Sequence, residues 1–174
     1  MSNVLFTSGD CEYIKSFWKD SISSDGEGYG TASINNQHIN IRREVKGHYL
    51  NITDSDLLTF TVPKLKTLGV VGIISGVGKL TKYTAGDYFK PHRDFQQDDI
   101  GLIRKTLVIQ LSDSTDYVGG DLIVEGKKQS RELGSCNIFN SDALHEITLI
   151  ESGIRTSLVL FLFDKDLKII NSVI

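Results

Sequence analysis

Residues 154–163 read Ile-Arg-Thr-Ser-Leu-Val-Leu-Phe-Leu-Phe. In an extended chain alternate side chains share a face. Arg155, Ser157, Val159 and Phe161 therefore lie on one side, and Ile154, Thr156, Leu158 and Leu160 on the other. Both sides are largely apolar, which predicts a strand covered on both faces. An arginine carried into such a setting needs a partner, because an unpaired buried charge is costly. Two kinds of partner are open to Arg155: an acid of the chain such as Asp142 or Glu146, or a ligand carboxylate to which Ser157 donates a further hydrogen bond.

Upstream of this strand, short apolar or alternating runs recur at 70–74, 79–84, 104–111, 121–125, 129–133, 137–140 and 146–150, separated by Gly, Asp and Ser. With 155–163 they make eight short strands in the last ~100 residues, the pattern of a β-sandwich or jelly roll. Two helices are predicted ahead of them. Residues 7–19 carry a cap at Thr7 or Ser8, acids Asp10 and Glu12 in the first turn, and an apolar face of Tyr13, Ile14, Phe17 and Trp18. Residues 54–68 begin at Asp54 and are ended or kinked by Pro63. The fold class is thus mainly β, with helices packed outside one sheet. Residues 23–33 read as a glycine-rich loop, with Gly26 to Gly30 either a substrate lid or a plain surface loop. Residues 34–50 read as one or two strands with a charged outer face.

The chain has 174 residues, which predicts one domain over 1–174, with helices, loop and supporting strands in 1–69 and the β core in 70–174. Hydrophobic residues are 40% and charged residues 24%, which excludes disorder and coiled coil. A net charge of -3 gives no global field for nucleic acid or an anionic membrane. Arg42, Arg43 and Lys46 form a local basic cluster, read as a solvated strand face in preference to a site for an acidic peptide or nucleic acid. Cys11 and Cys136 match no metal or disulfide pattern and predict two free thiols in a reducing compartment. The longest apolar run, 158–163, is far short of the ~20 residues that span a bilayer. These features together predict a cytoplasmic protein. Gly76 to Leu80 imitates a phosphate loop but lacks its first glycine and its hydroxyl residue.

Of the four histidines, His38 and His48 sit among charged residues and read as surface or packing groups. His92-Arg93-Asp94 is different. On a strand the imidazole and the carboxylate, two residues apart, project to the same side. A second imidazole from a distant strand would complete the two-His, one-carboxylate set that suits non-haem Fe(II) and leaves positions open for chemistry. His-x-acid alone carries little weight, since a chain of this composition contains one in roughly 40% of cases.

The surrounding residues add what the motif lacks. Tyr83-x2-Gly86-x-Tyr88-Phe89-x2-His92-x-Asp94 is followed in order by Arg104-x-Thr106, Gln110-Leu111-Ser112-Asp113, Tyr117-x-Gly119-Gly120-Asp121-Leu122, Gly134, Phe139, His145-Glu146 and Gly153-x-Arg155-x-Ser157-Leu158. This succession resembles the catalytic domain of the Fe(II)- and 2-oxoglutarate-dependent oxygenases, in their prolyl 4-hydroxylase-like branch, over about 83–163. The resemblance implies a double-stranded β-helix, a jelly roll of eight strands. It implies His92, Asp94 and His145 as iron ligands and Arg155 as the anchor of the distal carboxylate of 2-oxoglutarate. Tyr83 and Ser157 match residues that support that carboxylate. Gln110 departs from the pattern, since several relatives carry Tyr there; its amide can still donate, and Thr106 on the same strand face is the alternative contact. The presence of Asp94 argues against a halogenase. The implied reaction is hydroxylation of a C–H bond of a peptidyl residue such as proline, consuming O2 and releasing succinate and CO2, with ascorbate as an accessory. A free amino acid, another small molecule or a nucleobase is the alternative substrate, and a non-enzymatic jelly-roll binding module the alternative of another class.

Overall fold

The computed structural model describes residues 4–18, 24–25, 32–34, 37–39, 45–46, 48–52, 55–67, 73–74, 78–94, 97–98 and 101–163. The proposed lid at Gly26 to Gly30, and Arg42 and Arg43, lie outside them. The helices are α1 (Ser8–Lys15) and α2 (Ser55–Thr67). The strands are β1 (Ser24–Asp25), β2 (Ala32–Ile34), β3 (Gln37–Ile39), β4 (Val45–Lys46), β5 (His48–Ile52), β6 (Ile73–Ile74), β7 (Gly78–Thr84), β8 (Tyr88–His92), β9 (Gln97–Asp98), β10 (Gly101–Gln110), β11 (Tyr117–Gly119), β12 (Leu122–Val124), β13 (Lys127–Lys128), β14 (Cys136–Asn140), β15 (His145–Ile147) and β16 (Ile150–Phe163).

The strands form two main antiparallel sheets, ordered β1-β5-β7-β16-β10-β14 and β13-β12-β15-β8-β4. The strand that opened the sequence reading, β16, lies between β7 and β10 and pairs with both along much of its length. Its alternation separates two apolar regions. Leu158, Leu160 and Leu162 join Leu80, Leu107, Ile109, Leu111 and Cys136 on the outer face, against Cys11, Ile14, Leu57 and Leu65 of the helices. Val159 turns to the other face and packs with Tyr83, Val108, Tyr117, Leu122, Val124, Phe139, Ile147 and Ile150 between the sheets. This is the double-stranded β-helix, with helices on one outer face, that the resemblance implied.

The N-terminal helix begins with a capping box, the Thr7 hydroxyl accepting from Asp10 N and the Asp10 carboxylate from Thr7 N. Asp10 also takes the Lys64 ammonium at 2.9 Å, which ties α1 to α2. Tyr13 stands 42% exposed, so the inner stripe is built on Cys11 and Ile14 with Phe17 and Trp18 at its edge. Pro63 does not end α2; it lies inside the helix and is exposed. The helix loses one backbone bond there and continues, because Leu57, Thr61 and Leu65 bury a single face on both sides of it.

Three expectations about strands are corrected. Residues 129–133 are not a strand. The partner of β12 is β13, joined through Glu125 and Gly126, both at positive φ, in a tight two-residue turn. Residues 88–92, unassigned in the sequence reading because Gly86 and Pro91 punctuate them, form β8. His145 pairs with His92 and Ile147 with Phe89, so two residues of β8, Lys90 and Pro91, oppose Glu146 alone. A proline without an N–H is accommodated at such a bulge. Residues 117–119 also pair, with β16. Gly119 and Gly120 carry the chain away at φ +73° and +62°, and a Cβ on Gly119 would stand 2.1 Å from Leu149 O. No helix among the described residues is long and apolar enough to cross a membrane.

Candidate metal centre

His92 closes β8, and His145 opens β15 directly opposite it. Facing residues of an antiparallel pair keep their Cβ atoms about 5 Å apart, so one register places two imidazoles side by side, with ring centroids 4.1 Å apart. Asp94 follows two residues after His92, and its N–H donates to Ser141 O at 2.8 Å. Asp94 Oδ1 lies 3.6 Å from His92 Nε2, and Oδ2 lies 3.2 Å from His145 Nε2. One ligand atom from each of the three residues lies within 4.8 Å of the others, and all three residues are buried.

The orientation of the rings is fixed from behind. His92 Nδ1 is 2.8 Å from Lys90 O, and His145 Nδ1 is 3.0 Å from Ala143 O. A carbonyl only accepts, so both Nδ1 atoms carry a proton and both Nε2 atoms face Asp94. That is the arrangement in which metal-binding imidazoles are held. Phe89 stacks on His92 at 3.6 Å, which the bulge permits by bringing residues three apart to one side, and Phe139 packs on His145 at 4.7 Å. Burial pushes the Asp94 carboxyl up. The hydrogen bond from His145, the charges of His145 and His92 and the Thr106 hydroxyl outweigh it and hold the group at about 2. A carboxylate and two imidazoles with no thiolate among them suit Fe(II).

A second polar cluster lies further along the same interior. Arg155 is 2% exposed, and its Nη1 donates to Ser157 Oγ at 3.1 Å. Ser157 Oγ in turn bonds Thr81 Oγ1 at 2.7 Å. No carboxylate among the described residues pairs with the guanidinium, and its Nε has no hydrogen-bond partner. The ion pair with Asp142 or Glu146, left open by the sequence, is therefore absent. Tyr83 faces Arg155 across β7 and β16, its ring 5.9 Å from the guanidinium carbon. Burial raises the Tyr83 phenol to about 12, so it stays protonated and able to donate. Gln110 lies opposite Ser157, and its Nε2 donates to Tyr117 Oη at 2.9 Å and to Ser112 O at 3.3 Å. Thr106 belongs with the other cluster, since its hydroxyl donates to Asp94 Oδ2 at 2.8 Å.

The sequence reading brought His92, Asp94 and His145 together, and Arg155, Tyr83, Ser157 and Gln110 in a second group. It missed Tyr117 as a polar group of that second site, and Arg131 altogether. Arg131 stacks 4.1 Å above the Tyr117 ring. Tyr117 could have been found from its place two residues before Gly119-Gly120, on the inward face of a short strand; Arg131 lies in 129–133, which alternation presents as a strand and which is a loop.

Residues 78–163 match the 2OG-Fe(II) oxygenase superfamily model. A PKHD-type hydroxylase of Prochlorococcus marinus is 28% identical over 151 residues, which are 81% of this chain and 64% of that protein. A second PKHD-type hydroxylase, of Shewanella oneidensis, is 34% identical over 89 residues, which are 47% of this chain and 40% of that protein. The chain thus spans less than two thirds of the length of either relative. Among solved structures, a viral collagen prolyl hydroxylase from Paramecium Bursaria Chlorella virus-1 superposes with a TM-score of 0.62 at 13% identity, covering 91% of this chain and 92% of that one. A prolyl hydroxylase from Trichoplax adhaerens, in complex with a hypoxia inducible factor oxygen degradation domain peptide fragment, gives 0.66 at 17% identity, covering 94% and 82%. At those identities the two structures speak to the fold. The family match over the strands that carry both polar clusters and the likeness to the two hydroxylases make this chain similar to the 2OG-Fe(II) oxygenase superfamily, and the shared fold agrees with that.

Proposed function

We propose that the chain is a 2-oxoglutarate-dependent dioxygenase that hydroxylates a C–H bond of a peptidyl residue such as proline. His92, Asp94 and His145 hold Fe(II), and Arg155 takes the distal carboxylate of 2-oxoglutarate, with Ser157, Tyr83 and Gln110 around it. When bound, the metal and the cosubstrate supply the activation of O2, and 2-oxoglutarate leaves as succinate and CO2. One observation carries the reading: three convergent ligand atoms share an interior with a buried guanidinium that no acid among the described residues neutralises.

The chain's own residues position and shield. Lys90 O and Ala143 O keep the two Nε2 atoms turned inward. Thr106 fixes one oxygen of Asp94. Phe89, Phe139, Val108 and Val159 line the space with apolar groups, which keeps stray water from the reacting centre. Arg155, held by Ser157 and Thr81, sets how deep a dicarboxylate sits. The intact set of metal and anion groups supports an enzyme over a binding module. A peptide substrate is supported by the Trichoplax neighbour, which holds one. Residues 1–174 serve this reaction as one domain, and two free buried cysteines fit a reducing compartment such as the cytoplasm.

Anaerobic addition of Fe(II) and 2-oxoglutarate tests the centre. A weak visible charge-transfer band should appear when both are present and be missing in His145→Ala. Succinate release should then be stimulated by proline-containing peptides. Stimulation by free amino acids or nucleobases alone would transfer the activity to a small-molecule substrate.

A further inference from the structure

The anion site holds one donor that the reading above leaves unused. Gln110 Nε2 faces both Ser112 O and Tyr117 Oη. The Ser112 carbonyl only accepts, so the atom facing it is the amide nitrogen, and that nitrogen donates to the Tyr117 hydroxyl as well. Tyr117 Oη is therefore an acceptor in this bond, and its own proton is not spent on Gln110. Its other polar neighbour is the Arg155 guanidinium, which also only donates. Tyr117 is 3% exposed, and among the described residues its O–H meets no acceptor. Arg155 Nε lacks one too. The site thus holds two donors, the Tyr117 hydroxyl and Arg155 Nε, that no acceptor among the described residues meets, and what completes it is an anion.

The ring is gripped for this purpose. Arg131 stacks on it at 4.1 Å while its Nη2 donates to Tyr117 O at 2.8 Å and its Nη1 to Gly119 O and Asp121 Oδ1 at 3.2 Å each. A stacked cation with bonds to the backbone on both sides of the ring leaves the phenol little freedom to turn away.

We infer that Tyr117 is a further binding residue for the cosubstrate: its hydroxyl donates to the distal carboxylate beside Arg155, and Arg131 is the positioning residue that holds the ring in place. The inference rests on the cosubstrate reading of Arg155.

Tyr117→Phe keeps the ring and its stack and removes only the donor. The wild type, Tyr117→Phe and Arg155→Ala, each loaded with Mn(II), are titrated with 2-oxoglutarate and with pyruvate, a 2-oxo acid without the distal carboxylate, and binding is read from the water-proton relaxation of the bound ion. A hydrogen bond to a charged group predicts that Tyr117→Phe binds 2-oxoglutarate about tenfold more weakly. Its affinity for Mn(II) and for pyruvate should match the wild type within about twofold on the same argument, since neither ligand reaches the removed hydroxyl. In the wild type, the tyrosine Raman doublet should move toward the donor state when 2-oxoglutarate binds. Unchanged 2-oxoglutarate affinity in Tyr117→Phe, or an equal loss for both acids, overturns the inference. If Arg155→Ala still loses 2-oxoglutarate in that case, the cosubstrate reading survives without it. A wild type that binds no 2-oxoglutarate overturns both.

Discussion

Each polar residue between the sheets has one task, set by what it can donate or accept. Arg155 can only donate, and no acid answers it within the described chain. Removing one partner of a buried charge pair costs about 2–5 kcal/mol, so Arg155→Ala should raise the 2-oxoglutarate requirement steeply while Fe(II) affinity holds; a KM for 2-oxoglutarate equal to the wild type's would refute the anchor role. Thr106 acts on the metal side. Thr106→Val keeps the shape and removes the donor to Asp94 Oδ2. Loss of such a supporting bond lowers metal affinity by about 10- to 100-fold, a change that competition against a chelator would register, and one that adding 2-oxoglutarate should not repair. The cluster of His92, Asp94 and His145 was legible because His92-x-Asp94 and His145 lie in an ordered succession of motifs, and the isolation of Arg155 because a lone cation on an apolar strand asks for an anion. Thr106 was expected near the cosubstrate because side-chain alternation gives the face and not the distance along it.

At the level of elements, the register of β8 against β15 makes the site, and it was the least legible part of the fold. Pro91 and Gly86 hide β8 from any reading by propensity, whereas the bulge they allow turns Phe89 and His92 to the same side. Strands with clean alternation, β10 and β14, were found with small errors at their ends, whereas β16 begins at Ile150, five residues ahead of the predicted run. Residues 129–133 misled because their polar-apolar texture resembles a strand, while the turn at Glu125 and Gly126 had already fixed the hairpin. The helices make their own testable contribution. Lys64 beside Asp10 holds its carboxyl below the ordinary 3.8 against the opposing effect of burial. A carboxyl depressed in the folded state adds stability that is complete above its unfolded pKa and is lost as pH falls through the folded one. Melting temperature should therefore decline in acid below the ordinary carboxylate range with a contribution from this contact. Asp10→Asn should start lower at neutral pH and show a shallower acid limb; parallel curves for the two proteins would refute the contact's role.

On the scale of the whole molecule, the major sheet is a partition. The layer between its outer face and the helices holds both thiols, Cys11 of α1 and Cys136 of β14, and its inner face looks onto the candidate centre, whose two histidines stand on the facing sheet. Burial pushes Cys11 up to about 11 and Cys136 to about 12, so neither is a thiolate at ordinary pH. Native protein should resist alkylation at pH 8 and release both thiols together in denaturant; labelling of one in the native state would show that the helical cover opens by itself. Binding that favours the folded chain should delay that release in proportion to occupancy, so Mn(II) with 2-oxoglutarate should slow labelling more than Mn(II) alone. The partition has a bearing on ageing. A catalyst that handles O2 beside iron risks injuring itself whenever it fires without a substrate in place. Here the sulfur of both cysteines is walled off behind a β-sheet, while the aromatic rings of Phe89 and Phe139 stand next to the hazard and would take the first scars.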